Sequence, residues 1–292
     1  MMKVVVNMAC GLANRMFQYC YYLYLRKYGY DAYTDYYTSA RLSHEKVSWS
    51  TVFPDAELRL PPEGLVSRLG GGDSMLSRIR RRLPFAGSVM EMPSAFDADL
   101  PVAYRRDVYV LGVFQNAAMV ESLDEDLVRK AFSFGPALDE RNSELAQELK
   151  TNPGSVAIHV RKGDDYMTRK WYRGTCPYGY YEKAVEAVSS SVETPRFYVF
   201  ADNPRWVKDN FSWFDYTLVD WNPCAGPGSH FDMQLMSLCS HNIISNSTYS
   251  WWAAYLNMNP GKTVIVPDVW FSSESCSEYR SERVLCKGWR AI

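Results

Sequence analysis

Residues 155–166 read SVAIHVRKGDDY. Val156, Ala157, Ile158 and Val160 make an apolar, largely β-branched run without polar alternation, the pattern of a parallel strand covered on both faces. His159 interrupts that run. In an open α/β sheet, ligands lie in the crevice beyond the carboxyl ends of the strands, so the groups after Val160 stand where a substrate would lie. Arg161 is a permanent cation whose planar fork of donors matches a phosphate, and Lys162 adds a second positive charge. The stretch reads as an anion site for an oligophosphate or nucleotide. Plainer readings stand beside it: Gly163-Asp164 is an ordinary turn dipeptide, and a strand-end arginine often pairs with a neighbouring carboxylate.

Outward from this strand the pattern alternates. Helical spacing over 180–191, 204–210, 232–240 and 250–257 separates β-type runs at 196–201, 216–220, 242–245 and 262–266. That alternation predicts a doubly wound parallel sheet. Thr151-Asn152-Pro153-Gly154 is a breaker ahead of the central strand, which places a domain boundary there and divides the chain into 1–150 and 151–292. At the N-terminus, a β-branched run over 3–8 leads through Cys10-Gly11-Leu12-Ala13-Asn14 into a helix over 15–28, the opening of a Rossmann-type unit. A helix start at Gly11 suits a phosphate or polar ligand; a tight turn with Asn14 as the cap is the alternative. The aromatic stripe from Phe17 to Tyr24 reads as core. A strand over 108–114 and helices over 121–132 and 139–150 complete the first half.

At 292 residues, with 47% hydrophobic and 15% aromatic residues, the chain can bury a large core in two domains and is not disordered. A net charge of -1 gives no general electrostatic case for nucleic acid, so any cationic site is local. The seven cysteines are scattered without a CxxC pair, which favours a reducing cytoplasm over a disulfide framework or zinc site. The first residues hold no apolar stretch of signal or spanning length, so at most peripheral membrane contact is expected. The run containing Arg78, Arg80, Arg81 and Arg82 suits either a solvated face or an anionic lipid surface, and the solvated face is preferred.

Further groups with chemistry follow other strands. Asp202, after the 196–201 strand, can accept from a ribose hydroxyl or the N–H pair of guanine, or can cap the helix at Pro204. Residues 243–252 turn from strand to helix through Ser245, Asn246, Ser247, Thr248 and Ser250, whose hydroxyl and N–H groups can ring a diphosphate. Asp97-Ala98-Asp99 and Asp124-Glu125-Asp126 have the spacing of metal ligands, yet neither follows a clear strand, and acids at a helix start are favourable anyway. No metal is expected.

Several of these segments together resemble glycosyltransferase family 11 fucosyltransferases. Residues 11–19, GLANRMFQY, resemble that family's GLGNQMFQY; Gly112 to Gln115 with Arg129 to Phe134 resemble its middle section. His159 to Tyr166 is similar to HxRRGDY, Phe200-Ala201-Asp202 to FSDD, and residues 232–256 to its longest signature. Residues 30–110 are left uncovered. Ala13 and Arg15 depart from the usual Gly and Gln, Lys162 from the second Arg, and Asp165 is an extra residue.

The resemblance implies a GT-B-like α/β protein, with two Rossmann-type domains whose parallel sheets face a cleft. It implies a metal-independent, inverting alpha-1,2-fucosyltransferase moving L-fucose from GDP-fucose to the 2-hydroxyl of a galactose in a glycan. Residues 1–150 would be the acceptor side and 151–292 the donor side. Arg161 would neutralise the departing diphosphate, helped by Lys162, Gly11, Asn14, Asn246, Ser247 and Ser250. By the same resemblance His159 and Asp202 go to the guanosine. Asp164, His230 and Asp232 are candidates for the base. Another GDP-sugar transferase, or an inactive GDP- or glycan-binding relative, is the alternative.

Overall fold

A computed structural model describes residues 1–36, 48–72, 75, 79, 89–91, 104–135, 137–272 and 281–292, with backbone alone at 89–91, 164, 165 and 281. The basic run at Arg78 to Arg82 and the pair Asp97 and Asp99 fall outside those residues, as does the side chain of Asp164. The chain divides into two compact units, Met1–Gly135 and Pro136–Ile292.

The first unit runs β1 (Lys3–Asn7), α1 (Leu12–Lys27), β2 (Asp31–Asp35), α2 (Trp49–Val52), α3 (Leu65–Arg68), β3 (Val89–Glu91), β4 (Val108–Leu111), α4 (Ala117–Glu121) and α5 (Glu125–Ala131). Its sheet has the order β2-β1-β4-β3, parallel throughout. Val4, Val5 and Val6 are fully buried, as a strand covered on both faces requires. The aromatic stripe of α1 is core: Tyr21 stacks on Phe114 at 4.0 Å, and its hydroxyl meets that of Tyr104 at 2.5 Å. α1 starts at Leu12, earlier than the expected residue 15, with Gly11 as its cap. Asn14 therefore lies inside the first turn instead of capping it, and its Oδ1 accepts from Gln115 Nε2 at 3.0 Å.

The second unit runs α6 (Glu140–Thr151), β5 (Ser155–Val160), α7 (Asp164–Thr168), α8 (Tyr178–Ser189), β6 (Arg196–Ala201), α9 (Pro204–Asn210), β7 (Tyr216–Val219), α10 (Phe231–Leu238), β8 (His241–Ile243), α11 (Thr248–Leu256), β9 (Val264–Val266) and β10 (Arg290–Ala291). The order β10-β9-β8-β5-β6-β7 is again parallel throughout and puts β5 between β8 and β6. Every residue of β5 is buried. Val156, Ile158 and Val160 share a core cluster with Tyr181, Ala184, Val185 and Val188 of α8. Burial of each aliphatic side chain contributes about 1.5–3 kcal/mol, so this face fixes the strand's register. Ser155 and His159 belong to the other face, where Ser155 Oγ donates to the carbonyl of Leu149 in α6 at 2.9 Å.

Two α/β units on parallel sheets bear out the GT-B-like class. The division at Gly135 falls earlier than the expected boundary at 150. α6 belongs with the second unit because its carboxylates and amides are used there: Glu148 accepts from Tyr198 at 2.5 Å, and Asn142 Nδ2 donates to Asn222 at 2.8 Å. The breaker at Pro153-Gly154 is a turn into β5, not a linker. A Cβ on Gly154 would come within 2.5 Å of the Thr194 carbonyl, so only glycine lets β5 start against the chain entering β6.

Candidate active site

Four strand ends of the second unit carry the candidate groups: β5 leads to Arg161, β6 to Asp202, β7 to the 220–232 stretch and β8 to residues 244–250. The alternatives left open for Asp202 and Arg161 resolve together. Asn203, not Asp202, caps α9, accepting from Trp206 N at 3.1 Å, with Pro204 at the first helical position. Asp202 is thereby left to face β5. Its Oδ1 accepts from the Lys162 backbone N–H at 2.6 Å, and its Oδ2 lies 3.2 Å from Arg161 Nε. The Arg161 side chain keeps 36% of its surface, so one edge is held by Asp202 while part of the group stays accessible at the strand tip. This is a fixed, accessible guanidinium.

Lys162 goes elsewhere. It is 6% exposed, its Nζ donates to the Cys176 carbonyl at 2.9 Å, and it lies over the rings of Trp206 and Tyr166 at 5.5 and 5.9 Å. Burial holds its ammonium below the usual lysine range, against the raising pull of Cys176 and Asp202. The expected second cationic contact beside Arg161 is thus an internal strut. Successive residues leave a strand end in opposite directions, which is why a neighbouring pair in sequence separates in space.

The turn after β8 divides in the same way. Asn246 is 4% exposed: its Oδ1 accepts from the Tyr166 hydroxyl, and its Nδ2 donates to Thr175 Oγ1 and the Trp270 carbonyl, each at 2.9 Å. Ser250 is fully buried, with its hydroxyl turned back on the Ser247 carbonyl at 3.2 Å. These two organise the turn and do not present side chains to a ligand. Ser247 is different. It is the partly exposed N-cap residue of α11, its side chain caps nothing, and the first turn carries no acid. The start of α11 therefore offers N–H groups and a partial positive charge that no acid of its own first turn offsets.

His159 lies beneath this turn. Its Nδ1 pairs with Ser245 Oγ at 2.8 Å, and its ring stands 5.8 Å from that of Tyr249. Burial, helped by the nearby Arg161 charge, pushes His159 down to about 3, so the imidazole is neutral at working pH. Tyr249 carries the connection onward, donating to the Ser229 carbonyl at 2.7 Å and accepting from Met233 N at 2.8 Å. That pins the start of α10, which bears Asp232. Asn222 Nδ2 donates to Asp232 Oδ1 at 2.7 Å, and Asn222 is itself paired with Asn142. Burial raises Asp232 to about 6, with the Asn222 bond pulling the other way. Partial burial raises the Cys224 thiol, Asp202 and then Asp232 add to the rise, and Arg161 opposes it. His230 is buried, and desolvation holds it below the ordinary histidine value.

Gly11 and Asn14 belong to the first unit, at the end of β1. Asn222 was not singled out from the sequence; Ser245 and Tyr249 entered only as part of the hydroxyl-rich run over 243–252, and Gln115 only within the resemblance at Gly112 to Gln115, without the partners seen here. Among the described residues no group of three or more His, Cys, Asp or Glu side chains could hold a metal ion.

The model of Glycosyl transferase family 11 matches residues 92–292, over two thirds of the chain. The chain belongs to glycosyl transferase family 11. It is a glycosyltransferase, and the matched span takes in every candidate group of the second unit. Among curated relatives of this family 11 chain, the O-antigen biosynthesis glycosyltransferase WbnK of Escherichia coli is 33% identical over 56% of each chain. An alpha-1,2-colitosyltransferase of Escherichia coli is 25% identical over 94% of this chain and 95% of its own. The human galactoside alpha-(1,2)-fucosyltransferase 1 is 29% identical over 47% of this chain. The chain spans little over half of the first relative and 38% of the human one, but nearly all of the second. A crystal structure of the alpha-1,6-fucosyltransferase NodZ soaked with GDP-fucose aligns over 89% of this chain and 97% of its own, at 16% identity and a TM-score of 0.49.

Proposed function

We propose that the chain transfers L-fucose from GDP-fucose to the 2-hydroxyl of a galactose in a glycan, with inversion at the transferred carbon. The observation that carries this reading is Arg161, clamped by Asp202 yet open on one side, at the end of the central strand of a sheet whose neighbouring turn leads into the uncapped start of α11. Breaking the bond from fucose to the β-phosphate develops positive charge on the sugar and negative charge on GDP. Arg161 and the N–H groups at Ser247 stabilise that negative charge as it forms, the role a divalent ion fills elsewhere. Neutral His159 meets the guanosine as a hydrogen-bonding group without adding charge. Asp232 accepts the proton of the attacking hydroxyl: a carboxyl raised to about 6 is ionised at neutral pH and far more basic than an ordinary aspartate.

The activities that name the relatives support the linkage, and the colitosyltransferase, aligned nearly end to end, supports a second reading in which the transferred sugar is colitose. Cys20, Cys176, Cys224 and Cys239 are free thiols, in keeping with a reducing compartment. No helix among the described residues is long and apolar enough to cross a membrane. The deciding experiment incubates the purified protein with GDP-fucose, GDP-colitose or GDP-mannose and a panel of β-galactosides, with and without EDTA, and locates the new linkage by NMR. A fucosyl-α-1,2-galactose product formed in EDTA is expected. Transfer only from another donor, or no transfer in chelator, overturns the corresponding part.

A further inference from the structure

The first unit buries a guanidinium whose forked edge meets no anion among the described residues. Arg15, in the first turn of α1, is 1% exposed, and its Nε and Nη2 have no hydrogen-bond partner among the described residues. Its Nη1 donates to the Tyr36 hydroxyl at 3.5 Å, and Cζ lies 5.0 Å from the Tyr36 ring centre. Nε and Nη2 are the two donors on one edge of the guanidinium, the fork that takes both oxygens of a carboxylate or phosphate. A buried cation left without an anion is costly, so an edge of this kind marks a place where an anion belongs.

The surroundings are those of a ligand crevice. Tyr36 directly follows β2, which pairs with β1, so the guanidinium stands at the carboxyl end of the parallel sheet. The order β2-β1-β4-β3 changes direction at β1, the position at which open sheets bind ligands. Gly11 supplies no side-chain cap to α1, and its first turn carries no acid. One turn further, Gln18 is 2% exposed, with Nε2 donating to the Gly112 carbonyl at 2.8 Å and Oε1 unpartnered. Arg15 and Gln18 are three residues apart on α1 and so leave the same side of the helix, Arg15 toward Tyr36 after β2 and Gln18 toward Gly112 after β4. A group offering an oxyanion and an adjacent hydroxyl answers both, which is the chemistry of an acidic sugar.

We propose that Arg15 and Gln18 form an acceptor subsite for an acidic sugar, with Arg15 gripping its carboxylate and Gln18 Oε1 accepting from a neighbouring hydroxyl. This rests on the reading that the chain glycosylates a galactose-terminated glycan. Tyr36 covers Arg15, so binding displaces that ring. The test uses three galactose-terminated trisaccharides that differ in one residue: glucuronic acid, glucose, or glucose phosphate. The wild-type chain is expected to favour the glucuronic acid acceptor over the glucose one by tenfold or more in kcat/KM. Arg15→Gln erases that preference and Arg15→Lys, which keeps charge without the fork, retains only part of it. GDP affinity by calorimetry confirms that each variant is folded. A preference for the phosphate acceptor that Arg15→Gln erases would keep the oxyanion site and change its source. Equal rates on all three, or a preference surviving Arg15→Gln, overturns the proposal. If no galactoside is glycosylated at all, the functional reading fails, and titrating methyl glucuronide and methyl glucoside into the wild-type chain still decides: selective binding of the glucuronide upholds the site, and equal or absent heats sink it.

Discussion

Two arginines follow the first strand of their unit's sheet, Arg161 directly after β5 and Arg15 in the helix after β1, and the structure treats them oppositely. Arg161 is partnered by Asp202 and open to solvent; Arg15 is enclosed and lacks an anion on its forked edge. A surface-facing cation with a carboxylate on one side is stable in the absence of ligand and already aimed, so it can stabilise charge that appears during a reaction. A buried cation without a counter-ion stores an unmet electrostatic demand, which a ligand can satisfy on binding. The contrast separates catalysis from recognition within one chain.

The largest effect belongs to Arg161. Arg161→Ala removes a preorganised donor at the leaving diphosphate and should lower kcat roughly 10²–10³-fold with circular dichroism and Tm little changed. A kcat near wild type would dissolve the contrast, since Arg161 would then be no more than a surface ion pair. Asp232→Asn comes next, with about a hundredfold loss in kcat/KM. In the wild-type chain kcat/KM should fall on the acid side with an inflection near 6, and the Asn variant should lack it. Stability moves the other way. Because the folded chain holds the Asp232 proton more tightly than the unfolded one, stability present below the ordinary carboxylate value is lost as pH rises to about 6. Asp232→Asn should therefore be the more stable protein at pH 7 in thermal melts, while being the worse enzyme.

Much of this was legible from residues alone. Strands covered on both faces write continuous β-branched runs, so the second unit's alternation was readable, and β6 and α9 fall on their expected limits. The short β10, whose two residues are both exposed, leaves no such trace. Direction was the harder quantity. Arg161 and Lys162, or Asn246 and Ser247, are adjacent in sequence and similar in polarity, and only packing decides which faces outward. Lys162 reaches the Cys176 carbonyl because the turn before α8 offers that acceptor to it. Asn246 is consumed by Tyr166, Thr175 and Trp270, partners spread from 166 to 270 that no local pattern connects. The boundary near Gly135 was hidden for a related reason: a Pro-Gly breaker looks alike in a linker and in a tight turn between packed elements.

Smaller effects sharpen the comparison between a clamped and a waiting cation. Asp202→Asn keeps an oxygen for the Lys162 N–H but removes the charge facing Arg161 Nε, so the guanidinium is freed without being unseated entirely. A rise of about tenfold in the donor KM with a smaller fall in kcat is expected, measured by steady-state kinetics, since a charge-assisted contact contributes roughly 1.5–3 kcal/mol. If Arg161 works only when clamped, adding Asp202→Asn to Arg161→Ala costs nothing further. Full additivity would mean that Asp202 touches the donor itself.

Ser247→Ala should give the smallest change. Its hydroxyl caps nothing in the ligand-free chain, so its loss leaves α11 and the fold as stable as before, unlike an ordinary cap whose removal costs about 1 kcal/mol. Whatever it contributes must then appear only with nucleotide present, as a three- to tenfold weaker GDP affinity by calorimetry for roughly 1 kcal/mol of one hydrogen bond. A drop in Tm without nucleotide would show the hydroxyl serving the helix. Unchanged GDP affinity would leave the N–H groups of α11, together with Arg161, as the whole of the diphosphate grip.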